Sequence, residues 1–579
     1  MAYNNIPAFK NKVLESVDYK EIFKIAFLLE GLPRQKGLHA AGIVVDNNDL
    51  FTSIPLTFLD ENTLVTQYEK DYLEEQGFLK MDILGLSNLS IIKNCLTLIK
   101  QNKNIDVDLN KIDLNDKNIY KLITECRTMG IFQLDTSAAI NAIKIIKPTS
   151  FDEVVATISI DRPGPMENME PYARRKENKE KITYLDKRLI PILKDTYGII
   201  IYQEQIMQIA RKLALYSFSE ADSFRRAISK KDHNTIKKIK DDFITRLIKN
   251  GMDAKKANEM YSTIEKFQDY GFPKAHAVSY ALIGVMQSYL KTYYPLEFYL
   301  SILDQQYGSN DVKFNKYLDE IKKQGIEVLL PNINESTLRF KEFNNKLLLP
   351  LTGITSFPIK TIINVIEERE KNGKFESLQN FIYRMKNNDS NITSNQIAKL
   401  IDAGCFDSLN NNRKLLKMSV EEIIDSIDAF EMFNEIHEVS IKDVKDDPLE
   451  RILNEYEALN VMISDNLLNY IDKSSIKDNE IKTISELDYK HPSTIIANVR
   501  NIKPITIKNG KDKGKPMAFI SLYDNSMEIE GTIFASLYSL VGDKIKPNDI
   551  VIVNCMLEDR KGEATLKILD IKKGELLNE

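Results

Sequence analysis

The sequence predicts a multidomain α+β protein, a long and mostly helical body followed by a C-terminal OB-type β-barrel. Three observations carry this expectation. At 579 residues the chain exceeds what one hydrophobic core can serve and divides into about three to five domains. Apolar residues recur at helical spacing through most of 87–445, and from 493 onward they alternate with polar ones. Hydrophobic residues make up 43% of the chain, which suits packed cores rather than disorder.

Taken in order, residues 9–30 carry Val13, Val17, Ile22, Ile25, Ala26 and Leu29 at helical spacing and stop at Gly31. The rhythm then shortens: "GIVVDN", "TLVTQY" and "GFLKMDI" are β-type runs between polar turns, predicting one sheet that carries Asp82 near its edge. Helical patterns follow, broken by "DRPGPM" at 161–166, where two prolines around Gly164 impose a bend. Residues 311–445 continue as helix, with "LTGITSFPIKTIINVIEERE" as a hairpin between two helices, and 446–488 reads as a polar helical connector. Five alternating runs from "STIIANVRNI" to "ATLKILDI", with a helical insert at 535–541 before the fourth, predict the barrel.

Composition narrows the function classes. Cys95, Cys126, Cys405 and Cys555 lie far apart with no C-x-x-C pair, so neither a zinc site nor a disulfide framework is indicated and a reducing compartment is expected. No apolar run reaches membrane-spanning length and the opening residues lack the regions of a signal peptide, giving the expectation of a cytoplasmic protein with no membrane partner. The net charge of −5 does not point to nucleic acid, but it averages over domains. Between Arg225 and Lys249 the chain holds nine basic residues against three acidic ones. That run reads either as a solvated helix face or as a phosphate clamp.

The chemistry starts at "FLKMDILGL", 78–86. Asp82 stands among Met81, Ile83 and Leu84, where an unpaired buried charge would be costly. It is either a strand-end carboxylate paired to Lys80 or a magnesium ligand with Lys80 facing a phosphate. The first barrel loop, "KPITIKNGKDKGKP", holds Lys503, Lys508, Lys511, Lys513 and Lys515, and reads as a flexible polar hairpin or a single-stranded DNA contact.

Seven segments in order, "GLHAAGIVV", "VTQYEKDYLEEQGFLKMDILGLSNLSII", "GIFQLDT", "DRPGP", "YGIIIYQEQIMQIA", "FRRAISKK" and "YGFPKAHAVSYA", together resemble the DnaE-type alpha subunit of bacterial DNA polymerase III. The resemblance implies a partial polymerase palm sheet, large helical fingers, a helix-hairpin-helix and clamp-binding region and an OB-fold. Its domains would be 1–30 (end of thumb), 31–95 (partial palm), 96–310 (fingers), 311–445 (helix-hairpin-helix and clamp-binding), 446–488 (helical connector) and 489–579 (OB-fold). It implies template-directed DNA synthesis by two-metal nucleotidyl transfer, with Mg²⁺, primer-template DNA, deoxynucleoside triphosphates, the sliding clamp and other replisome subunits such as the clamp loader as cofactor and partners. Asp82 then matches the family's third catalytic aspartate and metal ligand, and Lys80 a contact to the incoming phosphates. Arg225, Arg226, Lys230, Lys231, Lys274, His276, Ser279 and Tyr280 match the nucleotide pocket. Arg34, His39, Arg162, Tyr202, Gln203 and Gln205 are placed on the DNA or nucleotide path, the last three with capping of buried backbone as the other reading.

The chain also departs from the family pattern. The P-D-x-D-x-D motif that supplies the family's other two aspartates does not occur, nor do the PHP domain and the first part of the palm. The alternative is therefore a catalytically silent DNA-binding or clamp-interacting remnant, or one half of a split polymerase. Pro273 stands where relatives tend to have Asn, and Ser356, Phe357 and Pro358 stand in place of Gly-x-Gly in the hairpin. "AFEMF" at 429–433 offers Met432 and Phe433 to a clamp pocket, with Ala429 in place of the family's glutamine; two apolar residues at that spacing also suit a core.

Overall fold

The computed structural model describes the chain except residues 1–2, 4–5, 33–36, 40, 61–62, 162–164, 231–232, 267–271, 307–310, 387–391, 434–443, 473–480, 508–511, 525, 561–562 and 576–579. Two compact units emerge, Met1–Ser87 and Asn88–Glu579. The molecule is mostly helical with small sheets and a closed barrel at its C-terminal end, the fold class that the hydrophobic periodicities predict.

In the smaller unit the expected single helix is two, Pro7–Leu14 and Val17–Leu29. The break falls at Ser16, whose hydroxyl accepts from the Tyr19 amide and caps the second helix. The expected three-run sheet also divides. Strand β1 (Gly42–Val45) pairs antiparallel with β4 (Leu79–Asp82), whereas β2 (Leu56–Phe58) and β3 (Leu64–Thr66) form a separate hairpin. Little of this unit is buried, because both faces of its short elements remain open: Val13, Ile54 and Leu73 are its buried apolar residues among those described.

The larger unit is built on continuous cores. One runs from Ile91 to Val461 and joins the central helix Lys274–Tyr293 to the helices before and after it. A second, from Leu189 to Ile264, forms a helical lobe packed around Phe224, Phe243 and Tyr261. The 311–445 region is not all helix as expected: β5 (Val328–Leu329), β6 (Lys341–Phe343) and β7 (Lys346–Leu348) form a small sheet there, with the left-handed Asn344 and Asn345 turning the chain between β6 and β7. Among the described residues of the supposed connector, α-helix covers Pro448–Leu459 and two single 3₁₀ turns follow, Leu467–Asn469 and Ile484–Glu486. Near its end β8 (Ile481–Lys482) joins the barrel sheet, pairing with Thr494 and Ile495.

The barrel closes as expected. Strands β9 (Pro492–Thr506), β10 (Pro516–Tyr523), β11 (Glu528–Ile533), β12 (Ile550–Arg560) and β13 (Glu563–Lys573) pair in the cyclic order β9-β10-β11-β13-β12-β9. The β11–β13 pairing is the parallel one. The insert between β11 and β12 is the helix Ala535–Val541. Alternation is visible in β10, where Ala518, Ile520 and Leu522 are fully buried and Phe519 is exposed.

Candidate active site and nucleotide-binding cluster

Two constellations gather the expected residues, one in each unit. In the smaller unit the β1–β4 register sets Gly42 opposite Asp82 and Val44 opposite Lys80. Residues two apart on a strand share a face, so Lys80 and Asp82 point the same way and their charged heads meet at 2.6 Å. That hydrogen bond, more than simple charge attraction, holds the Asp82 carboxyl below its ordinary range. The carboxylate is not buried, and its apolar neighbours Met81, Ile83 and Leu84 are exposed too. The charge is therefore tolerated by solvation together with its lysine.

Gly42 leaves the Lys80 and His39 side-chain ends room to stand where they do. A Cβ there would lie 2.8 Å from Lys80 Cε and 2.9 Å from His39 Nδ1, closer than atoms can sit. His39 Nδ1 accepts from the Ala41 amide at 3.3 Å and lies 3.9 Å from the Asp82 carboxylate. Its lone pair thus faces the backbone, and no hydrogen bond joins it to Asp82.

Divalent ions of the magnesium type take several oxygen donors. Among the described residues no cluster of three or more carboxylate, histidine or cysteine side chains could hold one. Asp82 can supply one ligand. The residues described here do not by themselves fit a two-ion site.

The second constellation lies where three helices begin or pass. Tyr202 bridges to Phe272, and the Gln203 amide donates to the Phe272 carbonyl at 3.0 Å. This joins the start of helix Gln203–Leu213 to the start of helix Lys274–Tyr293. Pro273 offers the second helix no side-chain cap; instead both Glu204 carboxylate oxygens accept from the Lys274 amide, at 3.0 and 2.9 Å. The Lys274 ammonium stands 5.4 Å from the Tyr202 ring centroid. From helix Phe218–Lys230, Arg225 donates to Gln203 at 3.0 Å, and Asp222 grips both Arg225 and Arg226, at 2.9 and 2.8 Å. Those two arginines hold the Asp222 carboxyl below its usual range, Arg225 by hydrogen bond first.

Along helix Lys274–Tyr293 a ladder of rings follows the four-residue repeat, Phe272 on His276 at 5.3 Å and His276 on Tyr280 at 3.9 Å, ending on Phe132 at 5.0 Å. One step on, Gly284 lies against the Phe132 carbonyl, and Gln287 accepts the Phe132 amide at 2.7 Å. The "GIFQLDT" segment is thereby docked on this helix. His276 and Ser279 are exposed, and the Ser279 hydroxyl is satisfied by the Ala275 carbonyl of its own helix.

Two of the residues placed on the path are turned inward. Gln205 is buried, its carbonyl accepting from the Ile201 and Tyr202 amides and its amide donating to Thr196 and the Ile192 carbonyl, so every bonding direction turns inward. It caps buried backbone. Tyr202 is 3% exposed, so it supports Lys274 from below rather than lining a path. Arg34, Arg162, Lys231, Lys508 and Lys511 lie outside the described residues, as do the side chains of Lys230, Met432 and Phe433. Lys503 projects from β9 directly opposite the exposed Phe519, while Lys513 and Lys515 are exposed near the loop end, the latter paired with Asp512.

Glu204 and Asp222 were not singled out from the sequence. Asp222 had a signal, because acids three and four residues before arginines on a helix face them. Glu204 had none, since its partner is 70 residues away.

In the hairpin, Ser356 adopts φ 52°, the left-handed conformation that suits glycine. The adjacent Thr355 amide donates to the Ala458 carbonyl at 2.8 Å. One hairpin amide is thus already committed inside the protein.

Comparison with known proteins finds matches along most of the chain. Residues 1–85 match the bacterial DNA polymerase III alpha NTPase domain, 88–251 the finger domain of the same subunit, 325–416 a helix-hairpin-helix motif and 494–573 an OB-fold nucleic acid binding domain. The chain is 34% identical to DNA polymerase III subunit alpha of Staphylococcus aureus strain MSSA476, over 98% of this chain and 53% of the relative. It is 35% identical to that of Staphylococcus epidermidis strain RP62A, over 97% of this chain and 52% of the relative. The chain thus spans about half the length of the curated relatives it matches.

Proposed function

From a chain that is homologous along nearly all its length to bacterial DNA polymerase III alpha subunits, we propose that this protein acts in template-directed DNA synthesis as a DNA-directed DNA polymerase, a nucleotidyltransferase. In this reading residues 1–30 end the thumb, 31–95 belong to the palm, 96–310 form the fingers, and the following segments carry the helix-hairpin-helix and clamp-binding region, the connector and the OB-fold. The observation that supports it best is the Lys80–Asp82 pair on one face of β4, with Gly42 of β1 opposite. Lys80 neutralises Asp82 until nucleotide phosphates compete for the ammonium. Asp82 then stands free as one carboxylate ligand, and Mg²⁺, when bound, would stabilise charge on the phosphoryl oxygens. Arg225, Arg226 and Lys274 present cations to a triphosphate, held in position by Asp222, Gln203 and Glu204. His276 and Tyr280 present ring surface beside them. Primer-template DNA, deoxynucleoside triphosphates, the sliding clamp and clamp-loader subunits are the partners of this reading, and the cytoplasm is its place.

The test is primer extension by the native protein purified from its source cell, comparing wild type with Asp82→Asn. Extension should fall by about a thousandfold or more, with primer-template affinity little changed. Surviving extension would remove Asp82 from the chemistry. A second reading, single-stranded DNA binding without synthesis, is favoured by one observation: Lys503 and exposed Phe519 side by side on the barrel. It predicts no extension by the native protein and tight binding that weakens steeply with salt.

A further inference from the structure

The helix Gln203–Leu213 ends in a left-handed turn made by a residue whose side chain stays in solvent. Leu215 adopts φ 57° just beyond the helix, the position where glycine usually turns the chain, and the Tyr216 amide closes the turn on the Ala210 carbonyl. A β-carbon there costs roughly 1–2 kcal/mol. The side chain recovers nothing by burial, since Leu215 is 67% exposed. Nearby Phe218 is 66% exposed, and the neighbouring helix Ile190–Leu193 shows Ile190 and Pro191 to solvent.

Pro191 and Leu215 border an open concavity of about 480 Å³ that is also lined by Ile192, Tyr216, Gln208, Arg211 and Lys212. Arg211 extends along Phe218, 5.8 Å from the ring centroid. Neither Arg211 nor Lys212 forms an ion pair among the described residues, and the acids on the adjoining helices, Glu220 and Asp242, are held by Arg246. The patch therefore presents apolar surface beneath unpaired positive charge.

We infer that this lobe carries a docking site for an acidic peptide segment of a partner protein, a large aliphatic side chain entering the concavity and carboxylates meeting Arg211 and Lys212. Charge complementarity names the sign of the partner. The lining names its shape: Pro191, Ile192 and Leu215 are aliphatic and suit an aliphatic side chain, and Phe218 is not part of that lining. The strained Leu215 is then a displayed anchor, a local cost retained at a site of recognition. This inference does not depend on the catalytic reading.

The experiment pans a random peptide library against the full chain and measures the best synthetic peptide by fluorescence anisotropy. Enriched peptides should carry Asp or Glu around a Leu, Ile, Met or Phe. Affinity should fall roughly tenfold or more in Leu215→Gly and in the double variant Arg211→Glu/Lys212→Glu. Leu215→Gly relieves the left-handed strain, so its melting temperature should not drop, which separates lost binding from lost folding. No enrichment, winners without that pattern, or affinity unchanged in both variants would overturn the inference. So would displacement of the peptide by oligothymidylate, which marks a nucleic-acid site, or self-association of the chain abolished by Leu215→Gly, which marks a second copy as the occupant.

Discussion

Residues 1–87 and residues 88–579 solve opposite problems. The first unit buries Val13, Ile54 and Leu73 and leaves its second helix, Val17–Leu29, with no buried residue. The second packs tyrosines, phenylalanines and a buried ion-pair network into extended cores. Yet each holds a cluster of polar side chains with defined geometry. In the first the geometry comes from a four-residue strand pairing and a glycine; in the second it comes from helices locked by their cores. Geometry and stability are therefore separable in the first unit and bound together in the second.

The sharpest contrast in stability comes from Arg413, 3% exposed, which donates to Asp407, to the fully buried Glu455 and to the Asp402 carbonyl. Arg413→Ala takes the cation from buried Glu455, which keeps donors from Ile463 and Ser464, and from Asp407, which keeps Arg451, and should cost about 3 kcal/mol in denaturant unfolding. A loss below about 1 kcal/mol would mean that water satisfies the network.

Next in size is Asp524, fully buried in the barrel, where burial pushes its carboxyl up to about 6 from an ordinary 3.8 although four donors from Ile484, Ser526 and Met527 face it. Between those values the folded state keeps a proton that the unfolded state has lost. Its contribution is thus full at low pH and declines as pH rises, by about 1.4 kcal/mol per unit and about 3 kcal/mol in all. Unfolding of wild type and Asp524→Asn from pH 4 to 6.5 checks it: wild type should lose ground against the variant as pH rises. The opposite slope would show that the four donors outweigh burial.

Smaller still is Ser356→Gly, which removes left-handed strain at an exposed hairpin residue and should raise stability by about 0.5–1 kcal/mol. No gain in melting temperature would mean that the turn relaxes freely. Smallest in stability is Gly42→Ala, within about 0.5 kcal/mol because its unit has so little core. Its added carbon nevertheless displaces Lys80 and His39, so extension by the native protein should fall about a hundredfold. A variant that unfolds but extends normally would reverse the comparison.

Much of the fold was legible in local pattern. The barrel strands and the helix Ala535–Val541 follow from alternation and its interruption, since strand and helix periods differ along the chain itself. Other features were not. The split of the small sheet depends on which strands pair, and "TLVTQY" looks equally ready for either partner. The β6–β7 turn escaped because two strands of three residues are too short for a period to register. Within the site, Lys80 and Asp82 could be placed on one face by counting, and the arginine cluster by its charge.

What the sequence determined by itself is the set of elements and the kinds of chemistry, because periodicity, charge and residue type are properties of neighbours in the chain. What only the tertiary structure decided is which groups are spent on holding the fold. Gln205 could be read as a path residue or a cap, and its bonds turn to buried backbone, while Glu204 beside it secures the start of a helix 70 residues on. Gly42 matters through a carbon it lacks, against side chains on another strand. Such assignments depend on distances between residues remote in sequence, and folding alone brings those residues together.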